Sequence, residues 1–182
     1  MNLFEAPLKP YGGDLLKTRR GRSQGRPLDT KNSMHVVLKS TKAKGRWSFL
    51  HGANPKRIEA IVKKFSQKYG IKILLSANAG NHLHLDIKLA SRHTYAPFIR
   101  AVTGAIAMVV TGTHRWKPLK QEAKDRFWDR RPFSRVVIGW KAFLALKDYF
   151  ELNKWEVWGV SRADARTIVA VNKVGESYWN SG

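Results

Sequence analysis

The pattern of apolar and polar positions predicts short strands that alternate with amphipathic helices. Residues 34–39 form a short apolar run that is consistent with a buried strand, and residues 71–76 have the pattern of a second strand. Between them, Asn54-Pro55 predicts the capped start of a helix that ends at Tyr69-Gly70. The apolar positions that recur at helical spacing in this segment are Ile58, Ile61, Val62 and Phe65.

Turn residues at 78–81 lead into a strictly alternating stretch at 81–89, which predicts an antiparallel hairpin with the strand before it. Successive side chains of a strand point to opposite faces of the sheet. One face of this strand would therefore carry Leu83, Leu85, Ile87 and Leu89, and the other would carry His82, His84 and Asp86.

The remaining pattern predicts a helix at 95–110, a last strand in the segment 127–137, and helices at 140–153 and 162–172. Pro132 favours an edge position or a bulge for the last strand. Ser161 and Asp164 have the spacing of a capping box. The order is strand, helix, strand, strand, helix, strand, followed by two helices. It predicts an α+β, ferredoxin-like (split βαβ) antiparallel sheet with helices on one face.

The composition and the net charge of the chain predict that it binds a polyanionic partner. The chain has 182 residues and 43% hydrophobic residues, enough for one domain, and its 34 Lys and Arg against 13 Asp and Glu give a net charge of +21. Aromatic residues beside cations can stack on unpaired bases, so single-stranded or structured nucleic acid fits. We expect a flexible basic arm at 1–33, one domain at 34–173 and a tail at 174–182.

Two absences in the sequence limit the chemistry and the location. There is no cysteine, so disulfides, thiolate metal sites and cysteine nucleophiles are excluded, and any metal must be held by nitrogen and oxygen. The longest apolar stretch, at 98–110, contains Arg100 and is too short to span a bilayer. We expect a soluble, cytoplasmic protein without a membrane partner.

The histidine pair is the main candidate for chemistry. His82 and His84 would stand side by side on one face, roughly 6.5 to 7 Å apart between Cα atoms, where two imidazoles can converge on one cation. The alternative is that His82, His84 and Asp86 form only the solvated side of a half-buried strand. His35, in the first strand, is interpreted as a structural residue.

A second set of candidates lies on the helix predicted at 140–153. Tyr149 and Asn153 are four residues apart, so they project toward the same neighbour, which could be the sheet. Beside two imidazoles, a phenol and an amide oxygen would supply a nucleophile and a third metal ligand. Each residue also has an ordinary interpretation, Tyr149 as packing at the core boundary and Asn153 as a helix cap.

Together these residues resemble the single-tyrosine HUH transposases, and most closely the REP-associated tyrosine transposases. The resemblance rests on His82-Leu83-His84, on a tyrosine followed by an asparagine four positions later, and on the segment 127–137 before that helix. It covers residues 32–155. The family's usual proline after the asparagine is Lys154 here, which puts the path after the helix in doubt.

The resemblance implies that His82, His84 and Asn153 bind Mg²⁺ or Mn²⁺ and that Tyr149 is the nucleophile. The activity would be cutting and rejoining of single-stranded, hairpin or palindromic DNA through a 5′-phosphotyrosine, as in a transposase or nickase. Relatives include dimers that share sites between subunits, so a homodimer with Tyr149 acting in cis or in trans is a further expectation. Phosphate contacts are expected from Arg19, Arg20, Arg22, Lys117, Lys120, Arg130, Arg131 and Arg135.

Two other functions remain open at this point. The same fold is used by nucleic-acid-binding modules that perform no chemistry. A replication initiator or relaxase of the wider HUH group is the other, although the small size and the single candidate tyrosine on this helix favour a transposase. Convergence of the histidines with Tyr149 would separate an enzyme from a binding module.

Overall fold

An antiparallel sheet of five strands forms the centre of the protein. The computed structural model describes residues 11–12, 26–113, 126–129 and 131–179, with side chains from 26 to 173 within those ranges. The strand order across the sheet is β1-β5-β2-β4-β3, and every neighbouring pair is antiparallel. The strands are β1 (Tyr11–Gly12), β2 (Ser33–Lys39), β3 (Ile71–Asn78), β4 (His82–Leu89) and β5 (Phe133–Val137).

Four α-helices surround this sheet: α1 (Asn54–Lys68), α2 (Arg92–Thr111), α3 (Trp140–Val157) and α4 (Arg162–Trp179), with a short 3-10 helix at Gly45–Trp47. The order β2-α1-β3-β4-α2-β5, with β4 inserted between β2 and β3, is the ferredoxin-like arrangement that the sequence predicts. The fold prediction is therefore confirmed. Helices α3 and α4 follow it and pack against each other.

The hydrophobic core lies between one face of the sheet and helices α1 and α2. The alternating apolar side chains of β4 enter this core, where Leu85 and Ile87 are fully buried. They meet Ile58 of α1 and Phe98 of α2. Burying one such side chain contributes roughly 1.5–3 kcal/mol, so the period-two pattern of β4 fixes which of its faces points inward.

The opposite face of β4 is buried as well, because α3 crosses it. His84 is 2% exposed and Asp86 is 0% exposed, whereas His82 is half-buried. The interpretation of these three side chains as the solvated side of a strand is therefore wrong for His84 and Asp86. A sheet covered on both faces brings polar side chains under a helix, where each one needs a partner.

Several predicted element starts differ from the structure. The N-cap of α1 is Ala53, and Asn54 does not cap the helix because its Nδ2 donates to the Ser48 carbonyl oxygen at 2.8 Å. Helix α2 begins at Arg92, where the Ser91 hydroxyl accepts from the backbone N–H of His93 at 3.4 Å. The prediction placed this start three residues later, at the first strongly apolar position.

The last strand is shorter than the segment that predicts it, and its surroundings differ. Pro132 lies just before β5, which pairs with β2 on one side and with Tyr11–Gly12 on the other. The expected edge position is therefore wrong.

The capping box is confirmed, because the Ser161 hydroxyl accepts from the Asp164 N–H at 3.2 Å and donates to the Asp164 carboxylate at 2.7 Å.

Part of the predicted basic arm contacts the sheet. Besides the pairing of Tyr11–Gly12 with β5, Arg26 donates to the Ser134 hydroxyl at 2.5 Å, and Asp29 accepts from the backbone N–H groups of Lys31 and Asn32. The remainder of the arm lies outside the described residues. The domain bounds stay a prediction.

Helix α2 is long and apolar enough to cross a membrane by length and composition. In the structure its apolar side packs on the sheet, with Phe98, Val102 and Ile106 fully buried. Helix α2 therefore packs in the way that a core helix does.

Candidate functional site

The two histidines of β4 lie side by side under α3, as the alternation predicts. The rings of His82 and His84 are 4.6 Å apart between centroids and nearly perpendicular, at 79°. Their separation follows from the strand geometry, which puts residues two apart on the same face. The pair can therefore approach one common ligand.

A different polar side chain holds each ring through its Nδ1 atom. The Nδ1 of His82 lies 2.6 Å from Oδ1 of Asn81, and the Nδ1 of His84 lies 3.0 Å from Nε2 of His35 on the neighbouring strand β2. Because an amide oxygen only accepts, His82 carries its proton on Nδ1 and keeps a lone pair on Nε2. That tautomer is one in which histidine binds metals.

Burial keeps all three imidazoles in the neutral form. Burial, together with the neighbouring His82 and His35, lowers the pKa of His84 to about 3. Burial and the charge of Arg135 lower the pKa of His35 to about 4. The pKa of His82 is also lowered, by burial and by Lys39, against an opposing effect of Glu156. Neutral imidazole is the form that coordinates a metal ion.

One atom of this cluster has no partner among the described residues. The Nε2 of His84 is buried without a hydrogen bond, which is costly for a polar atom unless a ligand satisfies it. No group of three His, Cys, Asp or Glu side chains in the described part of the chain could hold a metal. A cation here therefore needs a ligand of another type, such as an amide oxygen, and a set of His82, His84 and Asn153 fits that requirement.

Helix α3 delivers the predicted tyrosine to the histidines. The ring of Tyr149 meets that of His84 edge to face, with centroids 5.2 Å apart, and that of His35 at 6.0 Å. Phe150, which is 1% exposed, packs on the same two imidazoles at 5.8 and 5.5 Å. The ring of Tyr149 thus contacts His84, one member of the predicted histidine pair, within one chain.

Asn153 follows one turn later on α3 and is 5% exposed. Its Nδ2 donates to the backbone carbonyl of Tyr149 at 2.6 Å. This hydrogen bond engages the nitrogen of the amide, so Oδ1 is the other polar atom of the side chain. The role of Asn153 as a ligand stays a prediction.

Asp86 shares this face, as the alternation predicts. It is fully buried, and neither carboxylate oxygen has a hydrogen bond of ordinary geometry within the described structure. Burial raises the pKa of Asp86 to about 6, although the nearby Ser33 hydroxyl opposes the shift. The carboxyl group is therefore much easier to protonate than an ordinary aspartate.

Of the expected phosphate contacts, two lie among the described residues. Arg135 is exposed and stands directly opposite His35 in the β2–β5 ladder. It lines a cavity of about 330 Å³ together with His35 and Tyr149. Arg131 is exposed in the segment before β5. The others lie outside the described residues: Arg19, Arg20, Arg22, Lys117, Lys120 and Arg130.

Two residues of the site escaped the sequence interpretation. Asn81 is of a residue type that is common in turns. Only its position directly before His82 could have pointed to its hydrogen bond with that ring. His35 could have been found from the strand register, because the residue two positions before Val37 lies diagonally across from His84 once Val37 pairs with His84. That register is set by tertiary pairing and is not visible in the local pattern.

The fold and the site together define a ferredoxin-like protein that holds a tyrosine against the buried member of a histidine pair. Residues 30–153 match the family model of the IS200-like transposases. This match covers more than half of the chain, so the protein belongs to the IS200-like transposase family. It is accordingly a transposase, an enzyme that cleaves DNA, and the resemblance stated from its motifs is confirmed at this level.

Two solved structures are similar in fold. A REP-associated tyrosine transposase bound to a REP hairpin aligns with a TM-score of 0.56 and 14% identity, over 75% of this chain and 74% of its own. A crystal structure of a putative transposase from Deinococcus radiodurans R1 aligns with a TM-score of 0.45 and 16% identity, over 75% of this chain and 98% of its own. No curated protein matches the chain.

Proposed function

We propose that the protein is a metal-dependent endonuclease and strand transferase of single-stranded DNA. It cuts and rejoins hairpin or palindromic DNA through a 5′-phosphotyrosine on Tyr149, with Mg²⁺ or Mn²⁺ held by His82, His84 and Asn153. The observation that carries the proposal is the edge contact between the rings of Tyr149 and His84. A module that only binds nucleic acid has no need for a phenol beside two neutral imidazoles.

The proposed reaction is a transesterification at phosphorus. The Tyr149 oxygen forms a bond to the phosphorus while the bond to the 3′-oxygen breaks, so the phenol loses a proton and the departing oxygen gains one. The 5′ end stays joined to Tyr149 and a 3′-hydroxyl is released. The energy of the phosphodiester is conserved in the new ester, so rejoining needs no ATP.

The charges of the chain assist this step. Forming a phenolate at pH 7 from a group with an ordinary tyrosine pKa costs about 4 kcal/mol, and cations nearby offset part of that cost. Arg135 is the cation among the residues that line the same cavity as Tyr149, so we assign this role to it. His82, His84 and Asn153 would hold the divalent cation, which would supply charge neutralisation and orientation of the phosphate.

The substrate class follows from charge and from the similar fold that was solved with a REP hairpin. A net charge of +21 supplies affinity for any phosphate backbone, whereas sequence preference must come from contacts with bases. We therefore propose hairpin or palindromic single-stranded DNA as the substrate and a cytoplasmic, DNA-associated location for the protein.

Incubation with hairpin oligonucleotides and Mn²⁺ should yield a protein–DNA adduct that survives denaturation. Tyr149→Phe and His82→Ala should abolish it, because the first removes the nucleophile and the second a metal ligand. The matched controls Tyr69→Phe and His51→Ala change residues away from the site and should leave the adduct intact. An adduct that persists in Tyr149→Phe would exclude this nucleophile, and one that forms equally well with excess EDTA would exclude the metal.

We further propose that each chain uses its own tyrosine, since Tyr149 and His84 are in contact within one protomer. A homodimer is then not required to complete the site. Mixing inactive Tyr149→Phe with inactive His82→Ala should give no adduct, at any ratio of the two proteins. Recovery of about a quarter or more of the wild-type yield would show that subunits exchange their tyrosines.

A further inference from the structure

His35 makes a contact that simple packing does not require. Its Nε2 lies 3.0 Å from Nδ1 of His84, and the two rings are stacked at 5.3 Å with an angle of 21° between their planes. His35 is 8% exposed and His84 is 2% exposed. The hydrogen bond is thus shielded from water and fixes both rings relative to each other.

The number of protons that two neutral imidazoles carry decides which ring donates in the hydrogen bond between His35 and His84. A neutral imidazole has one N–H and one lone pair, so only one of the two facing nitrogens can carry hydrogen. If His35 donates, the single N–H of His84 falls on its Nε2, which is buried and has no acceptor in the described structure. If His84 donates through Nδ1, its Nε2 carries a lone pair instead, and a cation can satisfy that atom.

We infer that His35 is a positioning residue, whose Nε2 accepts from Nδ1 of His84 and so presents the Nε2 lone pair of His84 to a divalent cation. The inference rests on the metal role in the proposed function and goes beyond it. Partners of this kind set the tautomer and ring orientation of histidine ligands, although a carboxylate or a carbonyl is the usual choice. In this protein the partner of the histidine ligand is another imidazole, that of His35.

The neighbouring chemistry supports this division of roles. His82, the other proposed ligand, donates its own Nδ1–H to Asn81 and keeps Nε2 for a ligand, so both histidines of β4 would present the same atom. His35 stands on β2, where the aromatic rings of Phe133 and Phe150 contact it edge to face. These rings fix the orientation of His35 without competing for its nitrogens.

Two substitutions separate the hydrogen bond from the packing. His35→Phe fills the same space but offers no acceptor. His35→Gln places an amide oxygen near the position of the imidazole Nε2 and can still accept from His84. A residue with a packing role alone would tolerate phenylalanine better than glutamine, whereas a positioning residue would show the reverse order.

The direct readout is the tautomer of His84 in the metal-free protein, measured by long-range ¹H–¹⁵N correlation spectra of the imidazoles. The His84 signals are assigned by their loss in His84→Gln. We expect the Nδ1–H tautomer in the wild type and in His35→Gln, and the Nε2–H tautomer in His35→Phe. A wild-type protein with hydrogen on Nε2 of His84 would overturn the inference without reference to any variant.

The second readout is the affinity for Mn²⁺ alone, measured by titration with detection by electron paramagnetic resonance. His35→Phe should weaken Mn²⁺ binding by about 10- to 100-fold, as is usual when such a partner is lost, and His35→Gln by about threefold or less. Equal affinities for wild type and His35→Phe would overturn the inference. If the wild type shows the Nδ1–H tautomer but binds no Mn²⁺, the metal role in the proposed function fails while the assignment of the hydrogen bond survives.

Discussion

Asp86, His35 and His84 are buried on the face of the sheet under α3, and His82 beside them is half-buried. The histidines are neutral because burial lowers their pKa values, whereas burial raises that of Asp86 to about 6. Both shifts have the same cause, which is the loss of water around a charged form. They have opposite consequences for stability, since low pH opposes burial of the histidines and high pH opposes burial of the aspartate.

Asp86→Asn should change the pH dependence of stability. The folded-state pKa of Asp86 lies above its ordinary value of 3.8, so the carboxyl group is best tolerated below about pH 4 and its contribution is lost as pH rises through about 6. The difference between the ordinary pKa of 3.8 and the raised pKa of about 6 corresponds to about 3 kcal/mol. Relative to the wild type, Asp86→Asn should therefore gain about that much stability between roughly pH 4 and pH 8.

Urea denaturation of both proteins in EDTA, at several pH values, measures this difference. The histidine contributions are common to the two proteins and cancel in the comparison. If the stabilities of the two proteins run parallel across this pH range, Asp86 does not titrate in the buried state that the structure describes.

The first residues of α3 decide where Tyr149 is delivered. The helix begins directly after Gly139, whose φ of 80° and ψ of 162° belong to a region that is essentially restricted to glycine. A Cβ at Gly139 would meet no atom within 4 Å, so the backbone angle alone demands glycine. This turn aims α3 back across the histidine face of the sheet.

Gly139→Ala should therefore destabilise the protein by about 1–3 kcal/mol through backbone strain. It should also reduce the yield of the DNA adduct, since relief of the strain reorients the helix that carries Tyr149. The matched control is Gly104→Ala in α2, where a Cβ would again meet nothing within 4 Å and the backbone is helical. That change should stabilise by roughly 0.5–1 kcal/mol. Thermal unfolding of both variants tests the pair, and equal effects would contradict a special role for Gly139.

The charge of the whole molecule bears on how DNA is bound. Arg135 lies beside the cavity next to Tyr149, on the histidine side of the sheet, whereas α1 carries cations on the opposite side. If DNA follows the face with the histidines, Arg135 contributes to binding and a cation of the same type on α1 does not.

Arg135→Ala should weaken binding of single-stranded DNA and make it less dependent on salt. The slope of log K against log salt concentration is negative, and each lost phosphate contact reduces its magnitude by about 0.7 for single strands. Arg57→Ala, an exposed arginine on α1, should leave the slope unchanged. Fluorescence anisotropy at several salt concentrations measures both variants. A slope that falls equally in both would mean that DNA is held by overall charge without preference for one face.

The local pattern predicts most of the fold because each element has its own periodicity. Residues 81–89 alternate without interruption and α1 has a clear apolar stripe, so the pattern predicts β4 and α1 within a few residues of their bounds. The start of α4 is also predicted, but the helix extends to Trp179, beyond the predicted end at 172. The start of α2 was missed because the polar residues after Ser91 add nothing to the apolar period. The pairing of Tyr11–Gly12 with β5 could not be seen, since two residues carry no pattern.

The site is predictable only in part for a similar reason. His82, His84 and Tyr149 stand at spacings that the sequence reveals, and the structure brings them together. The burial of Asp86 and the hydrogen bond from His35 depend on α3 crossing the sheet and on the register of β2 against β4. Such long-range packing leaves no signal in the neighbouring residues.

The most direct test of the proposed chemistry is to identify the residue that becomes joined to DNA. The adduct formed with a hairpin oligonucleotide and Mn²⁺ is digested with protease and nuclease, and the modified peptide is sequenced by mass spectrometry. We predict a phosphodeoxynucleotide on Tyr149, linked through the 5′ phosphate. Attachment at any other residue, or a linkage through the 3′ phosphate, would contradict the mechanism proposed for this transposase.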